Sequence, residues 1–312
     1  MSILEAVGFP DVVVVPGAAG PFCRQAQPAT EIHGESGLDG TDLLPKPKRS
    51  SSNKNAIVEM YKALMACPPN TSWLVVTGPL TNAALLFATF PEVVDHLKGL
   101  SIMGGAIGAG FTDANLGKPF RDDKGETQAR IGNYTPYAEF NIWVDPEAAQ
   151  SVFQNPKLSE KTTLIPLDLS HQVFATADIQ QMILYGEDKQ AATQARPTRL
   201  RKMFYQLLTF YARTYADTFG LVDGPPLHDP LTVAVILATS ENESARIDFN
   251  DDGERFDVTV ELSGPELGRT KVKSAQEGVT IPRTLDRGTF WLTVDKCLAK
   301  ADAHVGRTPA PT

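Results

Sequence analysis

The chain has 312 residues, 42% of them hydrophobic and 21% charged, with a formal net charge of −8. That length and apolar content can build a sizeable core, while an acidic balance without a long basic run argues against nucleic acid or an anionic membrane as partner. No apolar run reaches the length of a membrane span, the start Met1-Ser2-Ile3-Leu4-Glu5 has no signal-peptide pattern, and Cys23, Cys67 and Cys297 are scattered without metal spacing, which reads as reduced thiols of a cytoplasmic protein.

In chain order, short β-branched runs alternate with helical patterns. This predicts an α/β fold with a mostly parallel open sheet flanked by helices. Asp11 to Val15 reads as an apolar strand closed by Pro16-Gly17, and residues 38–53 as a polar surface loop. Residues 54–67 form a helix with Ile57, Tyr61, Leu64 and Met65 on one stripe. Trp73 to Thr77 is the next strand, a helix follows from Thr81, and a strand runs from Leu100 to Met103. Gly104-Gly105 then marks a sharp turn or a close approach to a ligand. Residues 106–130 read as an insertion, either a mobile flap or a tolerated surface loop. Asp145 caps a helix that opens on Pro146. Thr163 to Leu167 is a buried strand, and Leu200, Met203, Phe204, Leu207, Leu208, Tyr211 and Tyr215 make one helical stripe. Phe256 to Leu262, a strand near Val279 and a helix from about Phe290-Trp291 complete one domain over residues 1–302. Residues 303–312, with Pro309 and Pro311, form a disordered tail.

Glu139 and Asn141 stand two apart in Tyr137 to Val144, a run that reads as a strand. Both side chains would then share one face, with Phe140, Ile142 and Val144 on the other. An edge strand with two solvated polar residues explains the pattern. A carboxylate beside an amide is equally a compact acceptor–donor pair for vicinal sugar hydroxyls. His228-Asp229-Pro230 follows the Gly224-Pro225-Pro226 breaker, which puts Asp229 near a helix N-terminus, either as an ordinary cap or where anions are favoured. Thr77 ends a parallel strand, where open α/β folds place ligands. Tyr211 and Tyr215 lie four apart on one helix face, and core packing accounts for them. His33 reads on its own as a solvated loop histidine, and His171 has no assigned role.

Six segments carry a family likeness: Ile32-His33-Gly34-Glu35-Ser36-Gly37, Val75-Val76-Thr77-Gly78-Pro79-Leu80-Thr81-Asn82, Ile102-Met103-Gly104-Gly105, the Glu139 segment, Leu167-Asp168-Leu169-Ser170-His171-Gln172 and Leu227-His228-Asp229-Pro230. In their order and spacing the chain resembles the inosine–uridine nucleoside hydrolases, from near residue 1 to about residue 300. The resemblance implies hydrolysis of the N-glycosidic bond of uridine- or inosine-type ribonucleosides. It implies ribose contacts at Met103, Asn133, Glu139 and Asn141, and an approach of His33 to ribose and base. Tyr211, Tyr215 and His228 would face the base, with His228 protonating or orienting it. Asp229 and the Thr77 carbonyl would bind a calcium ion. A homo-oligomer is usual in the family.

The family takes most of its calcium ligands, and its catalytic base, from an N-terminal Asp-x-Asp-Pro-Gly-x-Asp-Asp segment. That segment is not in this sequence. The resemblance therefore implies an incomplete calcium site, impaired catalysis, and a missing first strand–helix portion. Either Met1 is an internal start from an incomplete gene model, or the chain is a truncated paralogue. Asp122-Asp123 and Asp251-Asp252 follow no strand ending in Pro-Gly, so they make poor substitutes. The competing reading is a non-catalytic ribonucleoside-binding descendant. A two-carboxylate glycosidase using Glu35 and Glu139 explains neither His228-Asp229 nor the motif order.

Overall fold

The computed structural model describes residues 1–187 and 196–307. Three parallel strands lie in sequence order: β1 (Trp73–Val76), β2 (Gly99–Met103) and β3 (Thr162–Ile165). Trp73 pairs with Gly99 and Val76 with Ile102; Leu100 pairs with Thr162 and Met103 with Ile165. Every residue of the central β2 is buried, as expected of a parallel strand covered on both faces. On β3, Leu164 and Ile165 enter different apolar clusters, because successive side chains point to opposite faces.

The helices that cover this sheet follow from local signals. Helix α1 (Ala56–Met65) starts at Asn55, whose side chain accepts from Val58 N. Helix α2 (Thr81–Thr89) packs on α1 and on α4 (Pro146–Phe153), which begins at the Asp145 cap with Pro146 in the first turn. The other helices are α3 (Phe140–Val144), α5 (Leu167–Ser170), α6 (Arg199–Phe219), α7 (Asp229–Leu237) and α8 (Arg287–Arg307). Helix α7 packs on all three strands. An antiparallel pair, β4 (Arg255–Val260) with β5 (Thr270–Ala275), packs its buried Phe256, Val258 and Val260 into the cluster that holds α4. The parallel open sheet flanked by helices is thus the fold that the sequence predicts.

Several local expectations change. Asp11 to Val15 forms no strand: Asp11 and Val12 lie in a turn, and Val12 and Val13 are 52% and 71% exposed. Its backbone bonds are Val12 N to Phe9 O, within a turn, and Ser52 N to Val14 O, and an apolar run without a ladder partner is not held as a strand. The Glu139 segment is helical, because the Glu139 carboxylate accepts from Asn141 N and Ile142 N and so caps α3. The strand expected to reach Leu167 stops at Ile165, where Pro166 turns the chain into α5. Near Val279 only isolated bridges form, from Thr280 to Thr163 and from Val279 to Phe256. Residues 303–307, expected in a disordered tail, extend α8; residues 308–312 lie outside the described residues.

The 106–130 segment is more than a surface insertion. Its start is fastened inside, with Ile107 N and Gly108 N both donating to the Asp168 carboxylate at 2.8 Å. Further on, the hairpin of Phe120–Arg121 with Thr127–Gln128 is a small element whose residues 123–127 are exposed.

Asp145 joins three separate stretches. It accepts from the Thr81 hydroxyl at 2.5 Å, from Phe22 N at 3.0 Å and from Ala148 N at 3.2 Å, and it is fully buried. Replacing Asp145 by Ala removes the α4 cap and leaves buried donors unpaired. The expected loss is about 2–4 kcal/mol of unfolding free energy in urea denaturation. A loss below about 0.5 kcal/mol, the range of ordinary surface changes, would contradict this role.

Candidate active site

A cavity of about 460 Å³ opens at the carboxyl ends of β1 and β2. This is where ligands enter open α/β sheets, and the size suits a small organic molecule. Thr77 follows β1 and Met103 ends β2. Asn133, Tyr134, Glu139, Phe140 and Asn141 line one side. Tyr211, Tyr215 and Phe219 of α6 face them, together with the segment Pro225 to Pro230 at the start of α7. Every site residue expected from the sequence whose side chain is described lines this one cavity. His33 closes a short helix, Thr30–His33, and its side chain is outside the described part of the structure.

Glu139 is only 2% exposed. Its Oε1 accepts from Asn141 N at 2.9 Å; its Oε2 accepts from Gly105 N at 2.9 Å and Ile142 N at 3.1 Å. Burial pushes its carboxyl up to about 7, against the pull of those three N–H groups, and the Asp229 charge adds to the rise. Gly105 makes the turn at φ +79°, where a Cβ would also meet Thr270 Oγ1 at 2.8 Å. Asn141 Nδ2 donates to Met103 O and lies 3.2 Å from Met103 Sδ, so the amide is anchored to the end of β2. Asn133 Oδ1 accepts from Phe140 N at 3.0 Å and secures the same turn.

Opposite, His228 sits between two hydroxyls. Its Nε2 lies 2.9 Å from Tyr215 Oη and its Nδ1 lies 2.7 Å from Ser170 Oγ. Burial raises the Tyr215 phenol well above its ordinary range, with the Glu139 and Asp229 charges adding, so it stays protonated. Tyr211 is raised by burial and then by the Asp229 charge. Burial also pushes the Asp229 carboxyl up to about 6. His171 lies behind His228 at 5.5 Å between ring centroids, and burial lowers its imidazole to about 4.

Ser170, Tyr134, Phe140 and Phe219 belong to the site or support it without having been singled out individually from sequence. Ser170 lies within the Leu167–Gln172 segment, but a serine beside a histidine carries no directional signal there. The residues present do not make a full calcium site. Calcium takes six to eight oxygens, yet among the described residues no three His, Cys, Asp or Glu side chains gather as a metal site. Asp229 lines the cavity, while both Glu139 oxygens are turned to backbone N–H groups.

A parallel α/β sheet with a polar and aromatic cavity at its strand ends defines a small-molecule-binding protein of the open α/β class. A family model described as inosine-uridine preferring nucleoside hydrolase matches residues 1–292. The chain therefore belongs to this family of N-glycosyl hydrolases. It is 36% identical to a uridine nucleosidase of Saccharomyces cerevisiae, over 96% of this chain and 83% of that protein. It is 29% identical to an inosine-uridine preferring nucleoside hydrolase of Leishmania major, over 96% of this chain and 82% of that protein. Among solved structures, a purine-preferring ribonucleoside hydrolase from Gardnerella vaginalis shares the fold. Its TM-score is 0.72 at 21% identity, covering 98% of this chain and 85% of that one.

The burial of Glu139 fixes a pH dependence of stability. Its folded-state carboxyl holds a proton up to about 7, whereas the ordinary value is 4.5. Between these values the unfolded chain has released the proton and the folded chain has kept it, so stability falls as pH rises through this window. Glu139→Gln removes that slope. The Tm difference between variant and parent should move in the variant's favour from pH ~4.5 to ~7. Parallel Tm–pH curves would show that Glu139 ionises normally.

Proposed function

We propose that the cavity takes a ribonucleoside, with ribose against Met103, Asn133, Glu139 and Asn141 and the base against Tyr211, Tyr215 and His228. The chain is then a nucleoside N-ribohydrolase by descent, with turnover impaired in the form described here. The observation that carries this reading is the convergence of the polar pair from α3, the aromatic face of α6 and the start of α7 on one nucleoside-sized space. Family membership supplies the reaction class, and the yeast relative's name makes uridine the first substrate to test.

Breaking the bond from C1′ to the base nitrogen develops positive charge on the ribosyl ring and negative charge on the base. The Tyr215–His228 pair stands on the base side, where a donated proton or hydrogen bond neutralises the leaving group. Asn141 and Asn133 are held by the end of β2 and the start of α3, so the sugar end needs little rearrangement to bind. Water activation is the weak part. Among the described residues Asp229 is the one carboxylate on this side of the cavity, and its raised proton affinity lets it accept a proton only modestly below neutral pH. Without a fuller acidic set the water is neither tightly held nor strongly polarised.

Two measurements on the purified chain test this. Calorimetry should show saturable uridine binding, weakened about tenfold by Asn141→Ala through loss of hydrogen bonding at the sugar end. Hydrolysis of uridine and inosine should run at least ~10³-fold below that of a relative carrying the full aspartate segment, with calcium and with chelator alike. Calcium-dependent turnover at the relative's rate would overturn the impairment. Absence of any uridine binding would overturn the pocket assignment, and binding with no turnover would favour the non-catalytic ribonucleoside-binding reading.

A further inference from the structure

Ser170 is the last residue of α5 and is fully buried. Buried hydroxyls on helices commonly give their proton to a carbonyl of the same helix. Here the fully buried Thr232 donates to Asp229 O at 2.6 Å. Ser170 does not. Among the described residues its hydroxyl has one hydrogen-bond partner, His228 Nδ1, at 2.7 Å. A hydroxyl can donate or accept at that nitrogen. If Nδ1 carried the proton, the Ser170 O–H would be left buried with no acceptor, a costly arrangement. Donation from Ser170 to a bare Nδ1 satisfies both groups.

We infer that Ser170 is a positioning residue whose hydroxyl donates to His228 Nδ1, places the neutral ring's proton on Nε2 toward Tyr215, and so leaves the Tyr215 O–H free to donate into the cavity. The chain of donors runs in one direction, from Ser170 through His228 to Tyr215, and ends on the ligand. Tyr215 supports this, because its hydroxyl has no other hydrogen-bond partner among the described residues and its phenol stays protonated. The cavity then offers an O–H donor where a base stacks, which suits a nucleobase presenting a carbonyl oxygen or an unprotonated ring nitrogen. A base edge presenting only N–H donors would face a like donor. This selectivity rests on the ribonucleoside reading above; the direction of the chain rests on the buried geometry alone.

The test uses the full chain labelled with nitrogen-15 histidine, observed at alkaline pH where imidazole is neutral. The His228 signals are those missing in His228→Gln. In the parent chain Nε2 should carry the proton, and Nδ1 should show the shielding of a ring nitrogen that accepts a hydrogen bond. Ser170→Thr should keep that signature. Ser170→Ala should move Nδ1 to the position of a nitrogen without a donor. In calorimetry Ser170→Ala should weaken uridine about threefold to tenfold while leaving free ribose within about twofold, and Ser170→Thr should restore uridine binding. A parent chain with the proton on Nδ1 overturns the inference, as does an equal effect of Ser170→Ala on uridine and ribose. If the parent binds neither ligand, the ribonucleoside reading fails, and the parent's own nitrogen signals still decide the role of Ser170.

Discussion

Glu139 is an enclosed carboxylate whose two oxygens accept three backbone N–H groups, one of them from Gly105 in the turn that leaves β2. Those bonds connect the central strand of the sheet to the first turn of α3. They set where Asn141 sits, because the same turn carries its amide back to Met103. They also set where the chain goes next, since α3 leads directly into the Asp145 cap and α4. The sugar-side wall of the cavity is therefore a by-product of a backbone junction. A carboxylate is suited to that junction because it is acceptor-only when ionised, with room for several N–H donors. The cost is desolvation, and the rise of its proton affinity to about 7 shows that the N–H groups offset that cost only in part.

The opposite wall obeys a different constraint. Tyr215 comes from a long helix, His228 from the residue before another, and Ser170 from the end of a third. Helix α5 lies well before α6 and α7 in the sequence, and among the described residues no salt bridge joins the three side chains. What brings them into register is apolar packing of α5 and α7 against β3, in the cluster of Ile165, Leu169, Leu231 and Val235. Packing at native density fixes such positions to within the tolerance of a hydrogen bond. The two walls thus combine an electrostatically built side with a packing-built side, and the cavity lies between them.

How far this was legible in the sequence differs by residue. Strands β1 and β2 were legible because apolar runs ended by Gly-Pro or Gly-Gly have few alternatives. The parallel order followed from the helical patterns between them. The Glu139 run misled, because Phe140, Ile142 and Val144 alternate as a strand would. Its helical state depends on where the Glu139 carboxylate points, and that is decided by Gly105, 34 residues away in sequence. Asp11 to Val15 misled for the opposite reason. Its composition is that of a strand, yet strand formation needs a neighbour that composition cannot supply. Asp168 and Ser170 were present in a noticed motif, but their partners, Ile107 with Gly108 and His228, come from distant segments.

Family likeness and local geometry contribute different information about the calcium question. The family resemblance implies Asp229 and the Thr77 carbonyl as metal ligands. Geometry places both on the cavity wall, and among the described residues no cationic partner draws the Asp229 carboxyl down. An acid cluster intended for a divalent ion in general carries mutually raised carboxyls, because like charges wait for the ion to compensate them. Here the Asp229 charge adds to the rise of Glu139 only after desolvation, and desolvation is the cause at Asp229. Their protonation is therefore governed mainly by how dry the cavity is. A ligand that expels water from it should drive both carboxyls further toward the neutral form, so nucleoside binding should take up protons near neutral pH. Calorimetric titration of uridine in buffers of different ionisation enthalpy measures that uptake, and a buffer-independent heat would show that the cavity is already as dry before binding as after it.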